Sequence, residues 1–320
     1  MNRSVGAFAV CLVVGIAFYP ALIGRLARAG AGQRVSQYNP STHRIKAGTP
    51  TMGGVLFCVL AIAAWILFDR SRGGFLVAFA VVAGASLGIL DDFANVRGRG
   101  SLGLIAWQKL GLQSLIGLLL GIGLDKSSLT RQLIPGFGTV DMHWGVVVLT
   151  IIAVVAASNA VNLTDGVDGL AASCSVFVLA ATWALAWHVG NRPAAILSGA
   201  LCGGVVAFLA YNWWPARVFM GDTGSLALGC ALTILAAELR LLWLMPLLGI
   251  VFVVEILSVA INVTAIKRYH VRIFRASPLH HHFEELGLRE QRLVVRFALA
   301  AAAGAFLCAL AALKAGIGAA

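Results

Sequence analysis

Charge is scarce in this chain. Of its 320 residues only 12% are Asp, Glu, Lys or Arg, and just 13 are acidic. A domain solvated on all sides carries roughly twice that share, so an ordinary soluble globular protein is excluded. Cysteine spacings of the metal-binding kind are also lacking. Cys11, Cys58, Cys174, Cys202, Cys230 and Cys308 all fall inside apolar runs and read as small buried hydrophobes. There is no internal repeat and no low-complexity tail, which argues against solenoids and disordered linkers. Long polar stretches are confined to residues 24–51, 125–144 and 263–292.

What is present in abundance is apolar surface. The chain is 60% hydrophobic with a mean hydropathy of +0.90, the composition of a membrane protein. Runs long enough for a bilayer fall near residues 5–23, 52–68, 75–90, 104–124, 145–163, 170–188, 193–211, 224–238, 241–262 and 293–313. The expected fold class is therefore an all-α integral membrane protein of about ten transmembrane helices, one polytopic domain over residues 1–320. The first run lacks a small-residue cleavage site and is followed by further spans, so it is expected to be helix one rather than a removed signal peptide. Within 125–144, "IPGFG" predicts a small hairpin. GxxxG pairs such as Gly117 with Gly121 and Gly199 with Gly203 permit close helix approach, a weak signal in a chain of 36 glycines.

Net charge is +11, and its placement carries more information than its size. Ten spans sort the loops by parity. Sixteen of the 24 basic residues fall in loops after odd helices, including Arg25, Lys46, Arg97, Lys109, Lys267 and Arg292. The positive-inside rule assigns those loops to the cytoplasm and both termini to the outside. Topology accounts for the basic excess, so nucleic acid is not an expected partner.

Every chemically unusual cluster falls in one of the five cytoplasmic loops, near 24–51, 91–103, 163–169, 212–223 and 263–292. Lys and Arg alone defined that face, yet it also collects the Asp, Asn and His residues. This coincidence points to one composite active site on the cytoplasmic side. Asp91 and Asp92 close an apolar run, where a buried Asp is disfavoured by roughly 2.5–3.5 kcal/mol on insertion scales. One carboxylate suffices to cap a helix, whereas two close together either bind a divalent cation or split their pKa values so that one serves as base. Asn159 and Asn162, like Asp165 and Asp168, are three apart and share a helical face. Such oxygen donors suit Mg²⁺, with a Gly-rich turn carrying Asx caps as the structural alternative. Asp222 sits between Gly221 and Gly224, residues that let backbone approach a ligand closely.

His280, His281 and His282 cannot all face one way on a helix, so they imply a loop or helix entrance that presents them in different directions. Beside Pro278 and Glu284 they suggest phosphate or sugar contacts. Zinc fits less well, because the neighbouring donors are oxygens and no cysteine joins them. Glu255, inside the ninth run, reads equally as a functional carboxylate and as a packing anchor. Residues 267–275 alternate basic with apolar side chains, as suits a segment lying along an anionic lipid surface.

Taken in order, "KAGTPTMGG", "LDDFANV", "SNAVNLTDGVDG", "VFMGDTGSLALG" and "SPLHHHFEELG" resemble the phospho-N-acetylmuramoyl-pentapeptide transferases of peptidoglycan synthesis, from about residue 40 to 297. The triple-His loop separates these from relatives that transfer N-acetylglucosamine phosphate. The resemblance implies transfer of phospho-N-acetylmuramoyl-pentapeptide from UDP-MurNAc-pentapeptide to undecaprenyl phosphate, giving lipid I and UMP with Mg²⁺, at the cytoplasmic face of the bacterial inner membrane. It implies Asp222 as the principal Mg²⁺ ligand, assisted by Asn159 or Asn162. Asp91 becomes the base for the lipid phosphate, with Asp92 its partner near the metal. His280 to His282 become pyrophosphate or sugar contacts. Lys46 and Thr51 would line the site, Asp165, Asp168 and Asn212 would hold the nucleotide, and Phe219 would stack on uracil. Direct attack by the lipid phosphate and a covalent phospho-sugar on an Asp are both compatible with these residues, as is a homodimer.

The chain departs from the family in one place. Members commonly carry Lys three positions after the second Asp, and here that position is Asn95, leaving Lys46, Lys109, Arg97 and Arg99 to compensate. Two alternatives are a polyprenyl-phosphate transferase for a different sugar 1-phosphate and an ion-coupled transporter. The second predicts polar residues at mid-membrane and access from both sides, whereas these clusters share one face.

Overall fold

The computed structural model describes residues 2–30, 48–97, 104–127 and 129–317. The chain is almost wholly helical: α1 (Asn2–Arg28), α2 (Gly54–Ala64), α3 (Arg72–Arg97), α4 (Ala106–Lys126), α5 (Gly145–Thr164), α6 (Leu170–His188), α7 (Arg192–Asn212), α8 (Gly221–Glu238), the short α9 (Met245–Leu248), α10 (Ile250–Tyr269), the short α11 (Leu279–Glu285) and α12 (Glu290–Lys314). Among the described residues, seven helices are long and apolar enough to cross a membrane: α1, α3, α5, α6, α7, α10 and α12. This is a multi-pass helical membrane protein, an architecture in which each segment satisfies its own backbone hydrogen bonds.

The other three expected spans are helices too. α2 runs on through a π-helical turn, Trp65–Asp69, but the whole remains short. Polar side chains dilute α4, at Gln108, Lys109 and Gln113, and α8, at Asp222, Thr223, Ser225 and Glu238. Several of those diluting residues belong to the site described below. The run expected over 241–262 breaks at Gly249, separating α9 from α10.

α8 is the centre of the bundle, with every residue from Thr223 to Glu238 buried. It packs chiefly against α3 and α5. Lipid tails offer no hydrophobic force to drive helices together, so close approach between small residues does that work. A Cβ on Gly84 of α3 would lie 2.8 Å from the Cα of Ala227, and one on Gly88 would strike the backbone of Asp222. The GxxxG pairs also mark crossings. Cβ atoms on Gly117 and Gly121 would each lie 2.7 Å from a backbone Cα of α5, while Gly199 and Gly203 face the backbone of α1 at Ser4 and Phe8.

The hairpin expected from "IPGFG" forms, with β1 (Arg131–Ile134) antiparallel to β2 (Gly138–Asp141) and Ile134 opposite Gly138. Gly136 and Gly138 both have positive φ, the backbone such a turn needs. Buried Gln132 donates to the Ala237 carbonyl and accepts from the Leu242 amide, tying the hairpin to the connection after α8. All six cysteines are free and buried.

Candidate active site

α3 carries on through Asp91 and Asp92 to Arg97, where the sequence suggested that a loop begins at residue 91. Adjacent helical residues point about 100° apart, so the two carboxylates take different partners. Asp92 faces α8. Its Oδ1 accepts the Asp222 N–H at 3.2 Å, and its Oδ2 accepts the Thr223 N–H at 3.0 Å and the Thr223 hydroxyl at 2.7 Å. Asp92 is thus a helix cap, but for the N-terminus of α8 rather than for its own helix, and it satisfies amides that would otherwise be orphaned.

Asp91 turns toward α4. Its Oδ1 accepts the Leu104 N–H at 2.8 Å, and its Oδ2 lies 2.7 Å from Lys109 Nζ. The same ammonium is 3.1 Å from Asp222 Oδ2. One cation therefore bridges carboxylates from α3 and α8. On its other oxygen, Asp222 Oδ1 receives Asn162 Nδ2 at 2.5 Å, and that amide also donates to Ser225 Oγ at 2.9 Å. The Lys109 and Asp222 side chains keep 15% and 22% exposure against 5% for Asp91. The reachable side of the cluster is hence the Lys109–Asp222 edge.

Gly221 begins α8 with φ +73°, and a Cβ there would lie 2.8 Å from both Asp92 Oδ2 and Thr51 Oγ1. Glycine meets both demands, the left-handed backbone and the absent side chain. Thr51 is accordingly at the site, held by two strand-like bonds: the Phe219 N–H donates to the Pro50 carbonyl and the Gly53 N–H to the Phe219 carbonyl, each 2.8 Å. Phe219 is half-buried on that segment. Asp165, in the connection between α5 and α6, accepts the Gly221 amide. Desolvation, then the carboxylates of Asp222, Asp92 and Asp168, push its carboxyl well above the usual range.

Other expected site residues are engaged elsewhere. Asn159 Nδ2 donates to Gln113 Oε1 and to the Val155 carbonyl, both at 2.8 Å, which directs it away from Asp222. Asp168 Oδ2 accepts the Ala216 N–H at 2.9 Å. Asn212 accepts the Gly169 N–H at 3.0 Å and donates to the Val218 carbonyl at 2.9 Å. Both residues pin the α7–α8 connection to the start of α6. Lys46 lies outside the described residues.

The three histidines fall on the first turns of α11, and each Nδ1 has a different neighbour. His280 Nδ1 lies 3.2 Å from Glu255 Oε2, His281 Nδ1 2.6 Å from Glu284 Oε2, and His282 Nδ1 accepts the Arg275 N–H at 3.2 Å. His280 and Glu255 are both fully buried, and the His280 backbone N–H donates to Glu255 Oε1 at 3.2 Å. Gly166 lies against His280 Nε2, with room for no side chain. The intramembrane carboxylate on which the sequence left two readings open is therefore the seat of the first histidine, beside the connection that carries Asp165.

Lys109, Gln113, Thr223 and Ser225 were not singled out as site residues from the sequence, Lys109 having entered only as one of four compensating cations. The available signal was Lys109 and Gln113 at i,i+4 near the start of an otherwise apolar helix, which places both on one face. As a metal site the donor set is sparse and oxygen-based. Among the described residues no group of three or more His, Cys, Asp and Glu is placed to enclose an ion. Oxygen donors of this kind, one or two carboxylates with the rest left to water and phosphate, are the chemistry that Mg²⁺ takes.

Residues 74–240, just over half of the chain, match glycosyl transferase family 4, a stretch that includes Asp91, Asp92, Lys109, Asn162 and Asp222. Residues 46–58 match phospho-N-acetylmuramoyl-pentapeptide-transferase signature 1. The chain is 41% identical over 306 residues to the phospho-N-acetylmuramoyl-pentapeptide-transferase of Anoxybacillus flavithermus, covering 93% of this chain and 94% of that one. The enzymes of the same name from Moorella thermoacetica and Heliobacterium modesticaldum are 42% and 41% identical over 290 and 318 residues, covering 89% and 96% of this chain and 91% and 97% of their own. The chain belongs to the phospho-N-acetylmuramoyl-pentapeptide-transferase family.

Proposed function

We propose that this protein transfers phospho-N-acetylmuramoyl-pentapeptide from its UDP carrier to undecaprenyl phosphate, forming lipid I and UMP in peptidoglycan synthesis. A lipid phosphate oxygen forms a bond to the sugar-bearing phosphorus, the pyrophosphate bond to UMP breaks, and the displaced oxygen leaves with UMP. The observation that carries the reading is Lys109 bridging Asp91 and Asp222 where α3, α5 and α8 share an end. A phosphate carried in the bilayer and a nucleotide carried in water meet only at such a boundary, and phosphoryl transfer asks mostly for charge neutralisation and alignment there.

In this reading Asp91 takes the proton of the lipid phosphate, and Lys109 balances the charge of the incoming phosphates. Asp92 fixes the start of α8, so that Asp222 is held in place. Asp222 and Asn162 would hold Mg²⁺, which would supply charge neutralisation for the diphosphate. His281 and His282 contact pyrophosphate or sugar, Thr51 and Asp165 line the nucleotide side, and Phe219 stacks on uracil. The membrane is the bacterial inner membrane, spanned by ten helices that include α2 with its π turn, α4 and α8. The site faces the cytoplasm and both termini lie outside. The purified protein is expected to release UMP from UDP-MurNAc-pentapeptide when undecaprenyl phosphate and Mg²⁺ are supplied, and not from UDP-GlcNAc. Turnover of UDP-GlcNAc in place of the muramoyl substrate would move the chain to the sister activity.

A further inference from the structure

After Tyr269 the chain reverses and returns along its own helix. His270 adopts a left-handed conformation (φ 56°), and the return is fastened at two levels. Buried Asn262 accepts the N–H groups of Ile273 and Phe274 at 3.1 and 3.2 Å and donates to the Phe274 carbonyl at 3.2 Å. Seven residues earlier on α10, Glu255 accepts the N–H of His280. The result is an arm in which the last turns of α10 and residues 270–279 run antiparallel. From Glu255, level with His280 and the Asp165 connection, to Tyr269 is fourteen residues, about 21 Å at 1.5 Å per residue.

Two features of this arm find no partner among the described residues. Large apolar side chains are exposed along it, among them Ile266 at 40%, Tyr269 at 70%, Val271 at 53% and Ile273 at 59%. Lys267, Arg268, Arg272 and Arg275 are exposed between them, and residues 256–283 contain no acidic residue. Apolar side chains interleaved with unopposed cations on a rigid element are costly in water and match the boundary of an anionic bilayer. There the apolar groups enter the acyl region and each cation meets a lipid phosphate.

We propose that residues 266–275 form a docking surface for anionic phospholipid headgroups, so that the arm lies along the membrane rather than standing in water. Its far end is tied to the histidines, since Arg275 N–H donates to His282 Nδ1 and the Phe274 and His282 rings meet edge-on at 5.7 Å. Lipid contact at the arm therefore bears directly on α11. The proposal does not depend on the assigned chemistry.

Because all six native cysteines are buried, Ile273→Cys supplies one accessible thiol for a nitroxide label. The labelled full-length protein is reconstituted in phosphatidylcholine bilayers with and without phosphatidylglycerol, and relaxation by oxygen is compared with that by a water-soluble nickel complex. With phosphatidylglycerol the label is expected to be oxygen-accessible and shielded from nickel. The ratio should fall severalfold without that lipid, and also when Lys267, Arg268, Arg272 and Arg275 are all changed to Gln. Should the quadruple variant not fold, the two bilayers compared at low and high salt give the same test, since exposed charge contacts are screened at high ionic strength. Nickel access in every bilayer would overturn the proposal, and so would shielding indifferent to lipid charge.

Discussion

Lys109→Ala is expected to lower the turnover of UMP release by about 10²-fold or more, the scale seen when one preorganised charge-stabilising group is removed from an active site. Lys109 Nζ is 2.7 Å from one carboxylate and 3.1 Å from another, drawn from helices more than a hundred residues apart in sequence. Without it Asp91 and Asp222 face each other uncompensated, and incoming phosphates meet net negative charge. The helices themselves should hold, because Asp91 keeps the Leu104 amide and Asp222 keeps Asn162. Lys109→Arg is not a neutral exchange, since a planar fork replaces a point charge, and an intermediate rate is expected. Steady-state rates on protein with an unchanged melting temperature make the check. A loss within threefold for Lys109→Ala would reduce Lys109 to a structural bridge.

Glu255→Ala acts on folding instead. Both Glu255 and His280 are fully buried, and the carboxylate receives the His280 backbone N–H while lying beside its ring nitrogen. Removing it leaves the buried His280 backbone N–H without an acceptor. An orphaned buried donor costs about 1–3 kcal/mol, and a destabilisation of that size is expected. It should appear as a lower detergent melting temperature together with loss of UMP release. Glu255→Gln keeps an acceptor for the backbone N–H and should recover part of the stability. Wild-type melting of Glu255→Ala would show that the pair does not hold α11.

Helix positions were legible because an apolar run of bilayer length has few other uses, and the hairpin was legible from its Pro and Gly turn. What α4 and α8 conceal is instructive. Several of the residues that make them less apolar, Lys109, Asp222, Thr223 and Ser225 among them, meet at the candidate site, so part of what blurs these helices as spans is what brings them to it. The contact between α3 and α8 was not legible, because it depends on Gly84 and Gly88 facing Ala227 and Asp222 in a chain with glycine throughout. Asp92 illustrates the same limit. Capping was a sound reading of an Asp at a helix boundary, yet the helix it caps lies 130 residues away in the chain. Asp222, Asn162 and the aspartate pair do come together as their spacing and motifs suggested. Asn159, three residues from Asn162, is diverted by Gln113, a partner that only the packing of α4 on α5 supplies.

Of the four cations named as candidates for compensation at Asn95, Lys109 is the one that lies between the carboxylates. Lys46 and Arg99 lie outside the described residues, as does the side chain of Arg97.

UMP release by purified protein supplied with UDP-MurNAc-pentapeptide, undecaprenyl phosphate and Mg²⁺ tests the central claim most directly, comparing wild type with Asp91→Asn and Asp222→Asn. The bridged cluster predicts rapid, acceptor-dependent release by wild type and a loss of about 10²-fold or more in each variant at unchanged melting temperature. Robust turnover by both variants would contradict it.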